Sequence, residues 1–350
     1  MTIVETTRSV TGGVDTHLDV HVAAAVDASG GTLGVESFPT TPVGFVQLHE
    51  WLSSFGLVAR VGVEGTGAYG AGLARYLRGQ ALEVIEVDRP NRQLRRRAGK
   101  SDTIDAIEAA RAALSGRASG IAKSADGNAE AIRALLIAKR SARDTRIMCL
   151  NQIRHLGFTA PDELRERLRG VSRRRVAHVA AGLRPSGSDP VACATKLALP
   201  TLGRRVLDLD TSTERLDAQL AMFVRAAAPA LVALEGVGID TAAILIVAAG
   251  DNPQRLRSEA AFAHLCGVAP IAASSGKTVR HRLNRGGNRQ ANHALWRIVF
   301  TRMSSDERTR KYVARRLAEG RSKPEIIRVL KRYVAREVYK TSSAADARSR

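Results

Sequence analysis

Val10-Thr-Gly-Gly-Val-Asp-Thr-His17, Val20-His-Val-Ala-Ala-Ala-Val-Asp27 and Thr32-Leu-Gly-Val-Glu-Ser-Phe38 stand in close succession near the start of the chain. The first two alternate or run apolar and β-branched, and the turn Ala28-Ser29-Gly30-Gly31 leads into the third, so together they read as a three-strand meander. Beyond it, Phe45, Leu48, Leu52 and Phe55 recur at helical spacing. A strand at Val58–Glu64, a glycine-rich turn, a helix at Ala71–Arg78 and a strand at Ala81–Val87 complete the pattern. Periodicity alone predicts a mixed sheet with helices here.

Strand order narrows the fold. Three strands followed by alternating helices and strands match a ribonuclease-H-like arrangement, expected over residues 1–120. The chain then turns helical. Leu135, Ala142, Cys149 and Leu156 recur every seven residues, and Leu209, Thr213, Leu216, Leu220, Phe223 and Ala227 alternate steps of four and three, as a coiled-coil seam does. A loop at Leu183–Pro190 separates the two helices of this 121–228 segment. A mainly helical domain is expected over 229–340, opening on Leu234-Glu-Gly-Val-Gly-Ile-Asp-Thr-Ala-Ala243. That stretch resembles a helix–hairpin–helix turn, in which Gly236 and Gly238 let backbone N–H groups approach a phosphate. The small polar tail, 341–350, is expected to be disordered. The fold class is thus α/β followed by α.

Lys+Arg 54 against Asp+Glu 34 leaves a formal net charge of +20 on 350 residues. So large a positive excess fits a polyanionic partner, nucleic acid before any small acid. No apolar run reaches the roughly 20 residues that span a bilayer, and the N-terminus lacks a secretory pattern. Three scattered cysteines and histidines without metal-binding spacing suit a reducing compartment and exclude structural zinc. A cytoplasmic protein without a membrane partner is expected.

Four carboxylates carry the candidate chemistry. Asp15 lies in the first strand, Glu64 ends a later one, and Asp102 and Asp105 stand at i, i+3 in Gly-Lys-Ser-Asp-Thr-Ile-Asp-Ala. Singly, each has a plain reading as a turn, a solvated strand end or a helix cap. Together they suit two divalent cations, about 4 Å apart, acting on a phosphodiester. His17 and Asp19 are read as incidental. Just before the last pair, Arg89, Arg92, Arg95, Arg96, Arg97 and Lys100 form a dense basic run, fit for phosphate contact or simply a solvated face. Far downstream stands Gly267-Val-Ala-Pro-Ile-Ala-Ala-Ser-Ser-Gly-Lys277, then Arg280, Arg282, Arg285, Asn288 and Arg289. Ser275, chosen over the adjoining Ser274 only because it precedes Gly276, is a turn residue or a nucleophile, with Lys277 and the arginines able to neutralise an attacked phosphate. No serine-protease triad accompanies it.

In this order the motifs resemble the transposases of insertion-sequence family 110, the group that includes Piv-like DNA invertases. There a RuvC-like domain with a D…E…D-x-x-D tetrad precedes a domain with a G-x-x-P…S-G motif; here these are Asp15, Glu64, Asp102 and Asp105, then Gly267, Pro270, Ser275 and Gly276. The resemblance implies Mg²⁺ at the tetrad and Ser275 joined covalently to DNA. It also implies a structured guide (bridge) RNA pairing with donor and target DNA, homodimers assembling into a homotetramer, and a nucleoid-associated bacterial recombinase. One departure is Gln290-Ala-Asn292, where family members often carry Leu-Arg. Two other readings stay open: a hydrolytic RuvC-like nuclease that uses the serine domain only to hold DNA, and a catalytically silent nucleic-acid-binding protein.

Overall fold

The computed structural model describes residues 8–87, 101–118, 120–185, 189–252, 255–275 and 281–348, with side chains characterised as far as 342. The chain divides into two units, one of residues 1–127 with 249–261, the other of 128–248 with 262–350. The middle helices, expected as a separate linker, thus share a unit with the C-terminal helices. The stretch 249–261, expected in the C-terminal domain, belongs to the first unit instead. Its Asn252 explains why: Nδ2 donates to Ala122 O at 2.8 Å, and Oδ1 accepts from Ser124 N at 3.2 Å.

The first unit is a six-stranded mixed sheet in the order β3-β2-β1-β4-β5-β6. Its strands are β1 (Ser9–Thr16), β2 (Val20–Val26), β3 (Thr32–Pro39), β4 (Leu57–Glu64), β5 (Glu83–Val87) and β6 (Gly120–Ile121). The meander β1-β2-β3 is antiparallel, whereas β4 lies parallel to β1, and β5 to β4. Helices α1 (Pro42–Ser54) and α2 (Ala71–Gly79) supply Leu48, Leu52, Leu73 and Leu77 to a core with Val10, Val14, Val61 and Val63. Thr41 starts α1 by accepting from Gly44 N, with proline at the first helical position, where its missing N–H costs nothing. Helix α3 (Asp102–Leu114) has a row of alanines as its buried face and packs on β1 and β4 through their glycines.

Within this core His21 is fully buried and stacks nearly parallel to Phe45, their rings 5.8 Å apart. Its Nδ1 lies 3.4 Å from Thr40 Oγ1, and its Nε2 meets no partner among the described residues. Burial, aided by the His17 charge, pushes the imidazole pKa from 6.5 down to about 4. Between those values the unfolded chain binds a proton that the folded one refuses, so stability falls as pH drops through this window. Replacing His21 with Phe is expected to move the acid-unfolding midpoint to lower pH; an unchanged midpoint in an acid titration followed by circular dichroism refutes this.

The second unit is helical. Its long helices α4 (Asn128–Thr159) and α7 (Pro190–Ala227) run antiparallel, as the ion pairs Lys139–Asp217 and Arg146–Asp210 show. Of the heptad positions read in the sequence, Ala142, Cys149 and Leu220 are buried. Leu135, Leu156, Leu209, Thr213, Leu216, Phe223 and Ala227 are half-buried. Short helices α5 (Asp162–Leu168) and α6 (Val176–Ala181) close the pair at one end with Leu164, Val176 and Ala180. Then come α8 (Pro229–Val232), α9 (Ile239–Ala249), α10 (Glu259–Leu265), the two-stranded hairpin β7 (Ile271–Ala272) and β8 (His281–Arg282), and helices α11 (Arg289–Ser305), α12 (Glu307–Ala318) and α13 (Lys323–Arg348). Helix α13 runs on through most of the tail expected to be disordered; Ala344, Ala345 and Ala347 there are strong helix formers. No helix among the described residues is long and apolar enough to cross a membrane.

Candidate functional site

Gly13 of β1 stands opposite Gly62 of β4, and Val14 opposite Val63. Side chains alternate faces along a strand, so Asp15 shares the face of Gly13 and Glu64 that of Gly62. That face meets α3. A Cβ on Gly13 would lie 2.1 Å from Ala110 N and 2.3 Å from Ala106 O; one on Gly62 would lie 2.5 Å from Ala109 O. The glycines therefore let α3 settle onto the two strands directly beside the carboxylates that end them. The buried face of α3 begins with Asp105 and continues through Ala106, Ala109, Ala110 and Ala113. Its first turn thus brings Asp102 and Asp105 to the end of β1 beside Asp15, with Glu64 at the end of the neighbouring strand.

Asp15 and Asp105 are 6% and 3% exposed, while Asp102 stays half exposed at the rim. His17, just past the end of β1, reaches both: its Nε2 lies 3.2 Å from Asp15 Oδ2 and 3.5 Å from Asp102 Oδ2. The candidate ligand atoms of Asp15, His17 and Asp102 all fall within 4.8 Å of one another. His17 is the site residue that sequence reasoning set aside; its i+2 spacing from Asp15 was the only signal. Thr16 Oγ1 donates to Glu64 O at 2.8 Å and pins the end of β4 to that of β1. Burial lifts the Asp15 carboxyl above the ordinary carboxylate range; His17 opposes the shift, and the negative Asp105 and Asp102 add to it. A divalent cation would reverse this balance by favouring the ionised form. The donor set is oxygen-rich, as such a cation prefers, with a histidine placed to bind or to orient Asp15. The basic run with Arg92, Arg95, Arg96, Arg97 and Lys100 lies outside the described residues.

In the second unit, Ser275 is exposed three residues beyond β7. The base of its hairpin is tightly held. A Cβ on Gly287 would lie 2.3 Å from Gly267 N, and Gly267 itself has φ +65°, which favours glycine. Asn292 Nδ2 donates to Cys266 O at 2.9 Å and Gly267 O at 3.1 Å, while Lys331 Nζ donates to its Oδ1 at 2.8 Å. Asn292, at the departure from the family pattern, is thus a strut of the loop. Asn288 Oδ1 accepts from Gln290 N and Ala291 N, so its carbonyl caps α11 and is unavailable as an acceptor for nucleic acid. Arg282, Arg285 and Arg289 are exposed. Gly276, Lys277 and Arg280 lie outside the described residues.

Between α8 and α9, Gly236 takes φ +75°, and Thr241 Oγ1 accepts from Gly238 N at 3.0 Å. This turn borders an open concavity of about 640 Å³, also lined by Lys139, Asp217, Asp240, Arg297 and Thr301. Lys139 is held between Asp217 and Asp240, and Arg297 is the other cation of this lining.

Residues 12–156, which include Asp15, Glu64, Asp102 and Asp105, match a transposase family of the IS110 DEDD type. Residues 228–314, which include the glycine turn and Ser275, match the Transposase IS116/IS110/IS902 family. Two stretches of the chain are thus similar to the two transposase domains described for the IS110 family. Over 129 residues it is 32% identical to the "Insertion element IS110 uncharacterized 43.6 kDa protein" of Streptomyces coelicolor, covering 36% of this chain and 32% of that protein. The similarity thus spans about a third of the relative's length. The first match extends past the sheet into α4, and the second takes in α8 to α11 and part of α12.

Proposed function

We propose that the chain is the transposase of an insertion sequence, a Mg²⁺-dependent DNA recombinase that cuts and rejoins DNA through Ser275. The observation that carries this reading is the convergence of Asp15, near the end of β1, with Asp102 and Asp105 in the first turn of α3, in a chain that also presents Ser275 on a braced, exposed hairpin. In this reading the sheet unit is a RuvC-like, ribonuclease-H-like domain, with Asp15, Glu64, Asp102 and Asp105 holding two cations. Mg²⁺ there would stabilise the leaving oxygen and make a hydroxyl more nucleophilic. The serine Oγ would form a bond to phosphorus as its proton passes to solvent, and the P–O bond to the 3′ or 5′ oxygen of the cut strand would break, that oxygen taking up a proton and leaving as a hydroxyl. Because one phosphoester replaces another, rejoining needs no external energy source.

Donor and target DNA would meet the exposed cations Arg282, Arg285 and Arg289. A structured guide RNA would do the sequence reading, which suits a chain with 4% aromatic residues. Exposed Ile137, Ile147, Met148 and Met222 on α4 and α7 support self-association through the long helices, as a dimer and then a tetramer.

Ser275→Ala is expected to abolish the protease-sensitive protein–DNA adduct on denaturing gels and to stop strand exchange, while Ser274→Ala keeps both. Metal-dependent cutting that persists in Ser275→Ala, with no adduct in either protein, would establish the hydrolytic nuclease instead.

A further inference from the structure

Helix α11 buries Ala291, Ala294, Leu295, Ile298 and Val299, yet carries three aromatic rings on another face. His293 and Trp296 stack at 5.5 Å and 29°, and Trp296 and Phe300 at 5.3 Å and 24°. The outer two are exposed, Phe300 at 59%, so the core does not use them. The helix has arginines at 289, 297 and 302 and no carboxylate. Arg302 is taken inward by Glu235 O and Glu337. Arg297, exposed, lies one helical turn from both His293 and Phe300, and with Thr301 it also lines the concavity at the Gly236–Gly238 turn. The aromatic stripe therefore borders this concavity of about 640 Å³, to whose lining Arg297 contributes its charge.

The occupant follows from charge. A second copy of a chain of net charge +20 would bring arginine against arginine, whereas a polyanion would not. Among polyanions, a duplex hides the faces of its bases and a single strand offers them. We infer that His293, Trp296 and Phe300 form a stacking platform for unpaired bases of a nucleic acid, with Arg297 on the adjoining phosphate. This rests on nucleic acid being the partner, and not on the covalent chemistry of Ser275.

The test is binding of one labelled DNA strand, and of the duplex made from it, to the full chain without divalent cations. Phe300→Ala is expected to weaken binding of the strand about tenfold and of the duplex less than about twofold, with Phe300→Tyr restoring the strand. Because Phe300 is exposed, none of these changes should unfold the protein. Trp296 emission, obtained by difference from a Trp296→Phe variant, should be quenched by the strand. Equal losses on strand and duplex, or no loss, overturn the platform. So does a concentration-dependent association that Phe300→Ala abolishes, which would assign the stripe to a second copy. Stacking in a protein that never forms the Ser275 adduct would leave the platform standing and remove the recombinase reading alone.

Discussion

Asp15→Asn is expected to lower metal-dependent strand cleavage by about a thousandfold or more, while making the metal-free protein more resistant to unfolding at neutral pH. The two effects have one origin. The Asp15 carboxyl is raised from its ordinary 3.8, first by burial, with His17 opposing and Asp105 and Asp102 adding. A carboxyl raised on folding binds protons more readily in the folded state, so its ionised form costs stability at neutral pH. That cost is relieved as pH falls through the raised value toward 3.8. Asparagine removes it at every pH but also removes a ligand. Thermal melts with and without Mg²⁺ give the check: the cation should raise the midpoint of the native protein and leave Asp15→Asn unmoved. Asp105→Asn should likewise lose cleavage and the Mg²⁺-induced rise in midpoint, since Asp105 is buried beside Asp15. A native midpoint indifferent to Mg²⁺, with cleavage unchanged in either variant, would mean that these carboxylates are structural.

Gly13→Ala is expected to destabilise the sheet unit by about 3 kcal/mol, an unusually large effect for one methyl group. Its Cβ would meet the backbone of α3 at 2.1 and 2.3 Å, and backbone atoms cannot rotate away. Gly12→Ala provides the control. Its Cβ would meet the Leu52 side chain at 2.9 Å, a flexible end that can shift, so about 1 kcal/mol or less is expected. Urea unfolding followed at Trp51, which packs in the core of this unit, measures both; a Trp296→Phe background removes the other tryptophan signal. Lifting α3 also lifts Asp102 and Asp105 from Asp15, so Gly13→Ala should lose cleavage even under conditions where it stays folded. Equal, small effects at the two glycines would refute the close-packing account.

Most strands and helices of the first unit were readable from local pattern. The strand read at Val58–Glu64 is observed at Leu57–Glu64, and the helix read at Ala71–Arg78 at Ala71–Gly79. Apolar alternation, helical spacing and glycine turns act between near neighbours, so the chain states them directly. Asp15, Glu64, Asp102 and Asp105 could be picked out as candidates because acidic residues at strand ends and in a first helical turn stand out in so basic a chain, and the structure brings Asp15, Asp102 and Asp105 together. His17 could not be picked out in this way. Nothing near it in the chain predicts that Asp102 lies 3.5 Å away, for only the descent of α3 onto β1 brings them together. Asn288 reads as a possible contact for nucleic acid, yet its carbonyl caps α11, and the role of Asn292 in bracing the loop at Gly267 had no signal in the sequence. The return of 249–261 to the first unit was equally hidden, resting on Asn252 and two backbone groups more than a hundred residues earlier. The sequence by itself determined the elements, their order and the acidic chemistry on offer. Tertiary structure decided which of those groups meet, because that depends on how closely glycine lets a helix approach a sheet.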